Sequence, residues 1–475
     1  MGGLLLTETD TTLGVGWRSG LTAAFAADDQ LMIVSDGTRE ARVSAGTPLR
    51  ATLLELLGSP AGTSLELLVG EAADATREDD RALAEVEARS LLNRLAGFGL
   101  LSAWLADRQG VAATIATPVL PDEPLEPAGS LVLSPDAFVR RNGDGEPGLV
   151  LESAADPARS DPIEPRFATS LLTGELPPAW RAALRHAGIL VASADSQPDA
   201  RVPTGRWEFH DRLFHTRSRR WRGSARPYGA TMRLAGAMEP LPAGHVPAGA
   251  TGPRLALAAP EPGCSGEPAH GEAAERRRSQ RLPSAPLTAR QLGELLHRTV
   301  RVRDVHPAAA GDELDRPVPS GGALATVGVY PLVVDCQGID PGLYHYDGIG
   351  HVLRKLEAAR DTDLEPLVAY ARETAGLSAD APVQVLLVLA ARFGRLQYKY
   401  SGMAYAAVLK DVGVVYQAIY LAATAMGIGG CALGGGDALA FERASGLDRW
   451  EEGSVGEFLL TGVGANTGRQ WGDAQ

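Results

Sequence analysis

Cysteine is scarce in this sequence. Cys264, Cys336 and Cys431 are the only three in 475 residues, far apart and without CxxC spacing. Neither a disulfide framework nor a zinc ribbon can be built from them, and a reducing, cytoplasmic setting fits best. Positive charge is also in deficit: 58 Asp and Glu against 45 Lys and Arg leave a net charge of −13. That balance argues against general nucleic-acid binding by phosphate neutralisation. The start, MGGLLLTETDTT, has neither the basic n-region nor the sustained apolar run of a signal peptide. The most apolar later stretch, 412–430, is interrupted by Tyr416, Gln417 and Tyr420 and dominated by Ala and Gly. It reads as a buried, tightly packed helix, with no membrane role expected. A metal set is missing too, because His210 and His215 share a helix face poorly and no third ligand is near. Their expected roles are structural or in substrate contact.

What is there is enough chain for several domains and a full apolar core. The first two hundred residues hold two copies of one weak pattern. In the first, QLMIVSDGTREARVS (30–44) reads as a hairpin turning at Asp36-Gly37. Helical periodicity follows in LRATLLELLG (49–58) and in EVEARSLLNRLAGFGLLSAW (85–104), where Leu92, Leu95 and Phe98 share a face. In the second, GSLVLSPDAFVRRNGDGEPGLVLES (129–153) turns at Asn142-Gly143, and RFATSLLTGEL and PPAWRAALRHAGILVAS supply the helices. Both copies close with a leucine-bearing helix that stops at Gly before an apolar strand.

Helices with a two-stranded wing describe a winged-helix-like module, expected at 1–110 and again at 125–200. The acidic balance speaks against DNA as the ligand. A peptide added as an extra strand to a sheet edge is the preferred occupant, with simple packing or dimerisation elements as the alternative. The basic cluster HTRSRRWRGSARP (215–227) reads as solvated surface, and residues 239–275, rich in Pro, Ala and Gly, as a linker. A connecting segment is therefore expected over 201–275 and a carboxy-terminal domain over 276–475.

The carboxy-terminal signals are sharper. ERRRSQR (275–281) mixes arginines with a serine, a forked donor set suited to a phosphate monoester. Thr288 is the expected N-cap of a helix in PLTARQLGELL. RPVPSGGALATVGVYPLVV (316–334) places a Pro-Ser-Gly-Gly turn before an apolar strand, and such a turn can bring backbone N–H groups close to a flat ligand. GLYHYDGIGHVLRKL reads as a hairpin, APVQVLLVLAARF as a buried strand, and VGEFLLTGVGANTGR as a last strand. The glycines of AMGIGGCALGGG follow a helix, whereas a nicotinamide fingerprint needs them between a strand and the next helix, so that fingerprint fails.

Taken in order, RRSQR, PSGGAL, GLYHYD, RLQYKY, DVGVVYQAIYLAATAMGIGG and FLLTGVG resemble the nitroreductase-like flavoproteins over roughly residues 206–465. Within them the pattern is most similar to the SagB-type peptide dehydrogenases, azoline oxidases of thiazole/oxazole-modified peptide pathways. The resemblance implies an α+β fold, an FMN-dependent nitroreductase-like carboxy-terminal domain preceded by two winged-helix-like peptide-recognition modules, and a homodimer with flavin at the subunit interface. By motif, Arg277, Arg278, Ser279 and Arg281 are expected to hold the FMN phosphate and ribityl chain. Pro319, Ser320 and Gly321, from the partner subunit, are expected along the isoalloxazine, with Leu433, Gly434 and Gly435 approaching from the other side. Arg469 is a further phosphate candidate. Simple nitroreductases often carry Asn after the Pro-Ser turn, and this chain has Ala323.

Lys399 and Tyr400 match the Lys-Tyr pair proposed as catalytic in the oxidase branch. Where that pattern often continues with Tyr-Arg, this chain reads Tyr405-Ala406. Aromatising a thiazoline or oxazoline removes a proton from the former Cα and a hydride from the neighbouring ring carbon. Burial beside a flavin and neighbouring arginines are expected to make the amine a usable base, with Tyr relaying or holding the proton. The expected reaction is FMN-dependent azoline oxidation in a ribosomally made precursor peptide, with O2 as electron acceptor and a cyclodehydratase as candidate partner. The alternatives are an NAD(P)H-dependent nitro or quinone reductase on the same fold, or a non-catalytic escort of the modified peptide.

Overall fold

The computed structural model describes residues 12–17, 21–25, 31–35, 40–44, 47–58, 63–97, 100–107, 109–116, 130–142, 148–155, 159–160, 163–196, 206–219, 227–261, 268–357 and 361–464. The expected turn residues Asp36-Gly37 and Gly143, together with Phe98, Cys264 and Arg469, lie outside them. The chain divides into two compact units, Met1–Pro227 and Tyr228–Gln475.

In the first unit, strand β1 (Thr12–Trp17) is followed by β2 (Thr22–Phe25), β3 (Leu31–Ser35) and β4 (Glu40–Ser44), the last three forming their own antiparallel sheet. Next come α1 (Thr47–Gly58), β5 (Thr63–Ser64), α2 (Leu65–Asp74) and α3 (Arg81–Gly97), then the hairpin β6 (Leu101–Asp107) and β7 (Gly110–Ala116). Ser64 caps α2 by accepting from Leu67 N–H, and Leu92 and Leu95 of α3 are buried as their periodicity predicts. The second stretch contributes β8 (Leu131–Leu133), β9 (Ala137–Arg141), β10 (Leu149–Ser153), β11 (Arg159–Ser160), α4 (Pro165–Thr173), α5 (Pro178–His186) and β12 (Leu190–Ala192). Both stretches share one seven-stranded sheet, in the order β5-β1-β6-β7-β11-β10-β9, through the pairing of β7 with β11.

Helix α6 (Phe209–Ser218) corrects the reading of the basic cluster as solvated surface at Arg217, while Arg219 is exposed as expected and residues 220–226 lie outside the described residues. The Arg217 guanidinium donates to Ser153 O and reaches Glu152 at 3.3 Å, and Arg212 pairs with Asp136. Glu152 is 1% exposed and also faces Arg140 at 2.9 Å and Arg159 at 3.5 Å. A buried carboxylate needs such partners, so Arg217 ties α6 to β10, and Arg212 ties it to Asp136 just before β9. On the same segment Glu208, His210 and Asp211 bring three ligand atoms within 4.8 Å of one another, all exposed, so two carboxylates do lie near His210, without His215.

The second unit opens with β13 (Gly229–Ala230), β14 (Arg254–Ala256) and α7 (His270–Arg276), so residues expected as a linker add a strand and a helix to this unit. Pro and Gly remove regular patterning without removing packing. Helix α8 (Ala289–Thr299) starts at the Thr288–Gln291 capping box. Then follow β15 (Asp304–His306), β16 (Glu313–Asp315), β17 (Val327–Val333), β18 (Gly342–Asp347), β19 (Val352–Lys355), α9 (Asp361–Thr374), β20 (Val385–Arg392), α10 (Phe393–Lys399), β21 (Tyr400–Ser401), α11 (Ala404–Ala425), β22 (Gly429–Leu433), α12 (Ala438–Ser445) and β23 (Glu452–Thr461). Seven strands form an antiparallel sheet in the order β14-β19-β18-β17-β20-β23-β22.

Why β20 is apolar throughout follows from this layering. Val385, Leu387, Leu389 and Ala391 pack into the core shared with α8 and α11, while Leu386, Val388 and Ala390 pack into a second core with α9 and α12. Strand side chains alternate in direction, so a sheet covered by helices on both faces needs apolar residues at every position. Helix α11 is covered on one side only. Val408, Val412, Val415 and Ile419 are buried, whereas Tyr405, Leu409 and Val414 are 47%, 38% and 37% exposed. The tightly packed helix expected from the sequence is thus half open.

Candidate active site

The Lys-Tyr pair sits where α10 gives way to extended backbone. Lys399 is the last helical residue, and Tyr400 (φ −115, ψ 135) begins the short strand β21, which pairs with β13. Met232 N–H donates to Lys399 O at 3.0 Å and Leu234 N–H to Tyr398 O at 3.3 Å, so residues 229–234 hold the backbone of the pair. The buried Arg395 fixes α10 from inside by donating to Leu324 O, Leu241 O and Asp312 O. Burial lowers this guanidinium to about 10.

Those bonds bring the pair against the Pro-Ser-Gly-Gly turn of the same chain. A Cβ on Gly322 would lie 2.6 Å from Tyr400 Oη and 3.2 Å from Lys399 Nζ, so a side chain there would displace the pair, and the φ of 60° favours glycine as well. The turn is a single 3-10 turn, Gly321–Ala323, with Gly322, Ala323 and Ala325 at φ of 60°, 57° and 45°. Two alanines in the left-handed region are strained. The position where simple nitroreductases carry Asn is therefore one whose conformation suits Asn better than Ala. Ser320 Oγ accepts from Ala325 N–H at 2.9 Å. Gly321 N–H donates to the buried Asp411 carboxylate of α11 at 3.0 Å. Burial raises Asp411 despite that bond and the nearby Arg316. Arg316 is lowered to about 10, again by burial, and donates to Val327 O.

Around Lys399 the charges differ from expectation. Arg395 is engaged by three carbonyls, and Arg392 donates to Pro242 O and Ala243 O. The charged group beside Lys399 Nζ is Glu313 Oε1, at 3.8 Å, and the ammonium also stands 5.7 Å from the Tyr400 ring centroid. Among the described residues the amine is paired with a carboxylate, and the two nearby arginines of its own segment are turned to backbone carbonyls.

The basic run packs elsewhere in the unit, on Tyr420 of α11. Arg277 lies over the Tyr420 ring at 5.1 Å, Ser279 Oγ and Tyr420 Oη share a hydrogen bond of 2.9 Å, and Gln280 N–H donates to Gly430 O. Tyr420 Oη also accepts from Ala432 N–H at 2.8 Å. One tyrosine thus joins the run to the strand leading into Leu433, Gly434 and Gly435. Arg281 is exposed, while the Arg278 guanidinium turns back onto Glu275 O and Arg277 O.

Leu433, Gly434 and Gly435 line a cavity of about 400 Å³ with Val412, Tyr416, Gly436, Ser454, Val455, Gly456 and Glu457. Nothing lies within 4 Å of a Cβ built on Gly434, so the loop is open there. Glu457, which the sequence reading did not single out, is 4% exposed and hydrogen-bonded to Ser454 Oγ. Burial pushes it up to about 7, with Asp437 adding to the rise and the Ser454 hydroxyl opposing it. Its only sequence signal was a charge inside the apolar run VGEFLLTG.

Residues 273–464 match the family model described as the nitroreductase family. The carboxy-terminal part of the chain is a nitroreductase-family domain. Among curated relatives, MJ1384 of Methanocaldococcus jannaschii, which carries a nitroreductase name, is 29% identical over 160 residues, covering 34% of this chain and 75% of its own. The trifolitoxin-processing protein TfxB of Rhizobium leguminosarum bv. trifolii is 32% identical over 126 residues, 26% of this chain, and the match spans only 33% of TfxB. Among solved structures, the Escherichia coli microcin synthetase McbBCD complex with truncated pro-MccB17 bound is similar at 21% identity and TM-score 0.32, over 43% of this chain and 77% of that one.

For the nitroreductase-family domain, the residues present suit FMN. An open glycine loop lines a cavity, a glycine turn without room for a Cβ abuts Lys399 and Tyr400, and an arginine-serine run is tethered through Tyr420 to the loop's own strand.

Proposed function

We propose that this protein is an FMN-dependent oxidase that converts thiazolines and oxazolines of a ribosomally made precursor peptide into thiazoles and oxazoles. The observation that carries this reading is the packing of Lys399 and Tyr400 against the Gly321–Ala323 turn inside a nitroreductase-family domain. A pair placed for proton transfer beside a cofactor turn is what aromatisation requires. The overall balance is azoline plus O2 giving azole plus hydrogen peroxide.

FMN, when bound, supplies a two-electron acceptor for hydride. Arg277, Ser279 and Arg281 would hold its phosphate and ribityl chain, and Pro319–Gly321 and Leu433–Gly435 would flank its ring. The remaining chemistry belongs to the protein. Lys399, as the free amine, and Tyr400 together take the one Cα proton of the azoline ring, which one holds and the other relays, and Glu313 beside Nζ favours the ammonium that results. Arg395 and the Met232 bond keep both side chains at one height over the turn, which removes the orientation cost from the reacting complex.

A peptide substrate is favoured by the relative TfxB, named for trifolitoxin processing, and by a large amino-terminal unit unnecessary for reducing small molecules. In this reading winged-helix-like modules in that unit take the leader by strand addition, a cyclodehydratase supplies the azolines, and the protein works as a cytoplasmic homodimer. Mass spectrometry of an azoline-bearing precursor incubated aerobically with the protein and FMN tests it. Loss of two hydrogens per ring, with matching peroxide, is expected. An unchanged mass with flavin bound and rapid bleaching by NAD(P)H would replace it with a nitro or quinone reductase.

A further inference from the structure

Glu457 is unlike an ordinary buried acid in how the backbone makes room for it. It pairs with Leu433 across β22 and β23, and a Cβ on Gly436 would sit 2.1 Å from both carboxylate oxygens. A Cβ on Gly456 would likewise lie 2.3 Å from Tyr416 Oη. Glycines therefore leave room for one carboxyl and one phenol in the wall of the same cavity, beside the loop assigned to the ligand ring. Ser454 Oγ occupies Oε1.

The groups around Glu457 leave it without a cationic partner. From α11 comes Tyr416, which burial keeps neutral by raising its pKa. The loop before α12 contributes the Asp437 charge, which disfavours ionisation of Glu457. From α9, Tyr370 Oη reaches to 3.0 Å from a Cβ built on Gly435. No Arg, Lys or His lines the cavity among the described residues. A neutral carboxyl can donate a hydrogen bond, whereas a carboxylate only accepts and repels an electron-rich edge.

We propose that Glu457 is a proton-holding contact for the flat, acceptor-rich ring that fills this cavity: its carboxyl donates a hydrogen bond to that ring, so ligand uptake is coupled to proton uptake at this side chain. The inference rests on the reading of the cavity as the site of the FMN ring. Burial without a counter-charge is the physical source of the retained proton.

FMN is titrated into the flavin-free protein at pH 7.5 in two buffers of different ionisation enthalpy. The wild type should take up more protons per site than Glu457→Gln, by a sizeable fraction of one proton. The proton balance of the FMN phosphate is common to both and cancels. Across pH 7.5 to 9 the wild-type affinity should fall toward a tenfold loss per pH unit relative to Glu457→Gln. Ser454→Ala, which removes the bond that favours the carboxylate, should move that fall to higher pH. Equal proton uptake and parallel pH profiles in wild type and Glu457→Gln would overturn the inference while leaving the flavin site standing. Failure of the wild type to bind FMN at any pH would overturn the flavin reading and the inference together.

Discussion

At the scale of single residues, Lys399 and Tyr400 are the groups on which the proposed chemistry stands. Tyr400→Phe keeps the ring under the Lys399 ammonium and removes only the hydroxyl, and Lys399→Met keeps the stem and removes the amine. Each is expected to lower turnover by about 10²–10⁴-fold with FMN still bound, as read by peptide mass and flavin absorbance. Wild-type turnover in both would remove the pair from the mechanism. Glu457 carries a separate prediction, on stability. Its folded value of about 7 lies above the ordinary carboxyl value of 4.5, so between those limits the folded chain holds a proton that the unfolded chain has lost. The stability this confers is complete below about pH 4.5 and is lost as pH rises to about 7, on the order of 3 kcal/mol in all. Urea unfolding at pH 5 and pH 8 should show a smaller fall for Glu457→Gln than for the wild type. A wild-type stability that rises across that window relative to the variant would show the carboxylate to be stabilised instead.

Between elements, buried charge does work that periodicity cannot forecast. Glu152 on β10 faces Arg140, Arg159 and Arg217 from three different segments. Glu152→Gln removes the buried anion these arginines share, so a loss of about 3–5 kcal/mol is expected, checked by thermal or urea unfolding of the full chain. A change under 1 kcal/mol would mean that solvent already screens the cluster. In the sequence Arg217 reads as part of a solvated basic surface, because a run of arginines does not reveal which acid it meets. The carboxy-terminal elements were more legible. The Thr288 cap, the Asp347-Gly348 bend and the continuous apolar run of β20 each have a local cause that survives folding. The turn at Gly322 was legible as a turn, but its contact with Tyr400 was not, since it depends on Arg395 gathering carbonyls from three distant segments. For the same reason composition made a linker of residues 239–275, although the Leu241 carbonyl is one of those acceptors.

For the whole molecule, α11 poses the question of what covers its open side. By length and composition it could cross a membrane, with mean hydropathy 1.3 over its most apolar 18 residues, 39% of which are buried. Its inner face argues otherwise. Asp411 receives the Gly321 N–H and Val408, Val412, Val415 and Ile419 fill the sheet's core, so moving α11 into lipid would dismantle the proposed site. The outer face carries Tyr405, Leu409, Gly413, Val414 and Gln417, small and apolar enough for close helix contact and polar enough to remain soluble before assembly. A second copy is the occupant the proposed homodimer requires, and a two-fold interface would set the same helix face against itself. Sedimentation at micromolar protein should give a dimer, and the double variant Leu409→Glu, Val414→Glu should give a monomer, because like charges would then face each other across the axis. If the flavin site is shared between copies, that monomer should also lose FMN on gel filtration. A folded monomeric wild type that retains FMN would place the whole flavin site within one chain.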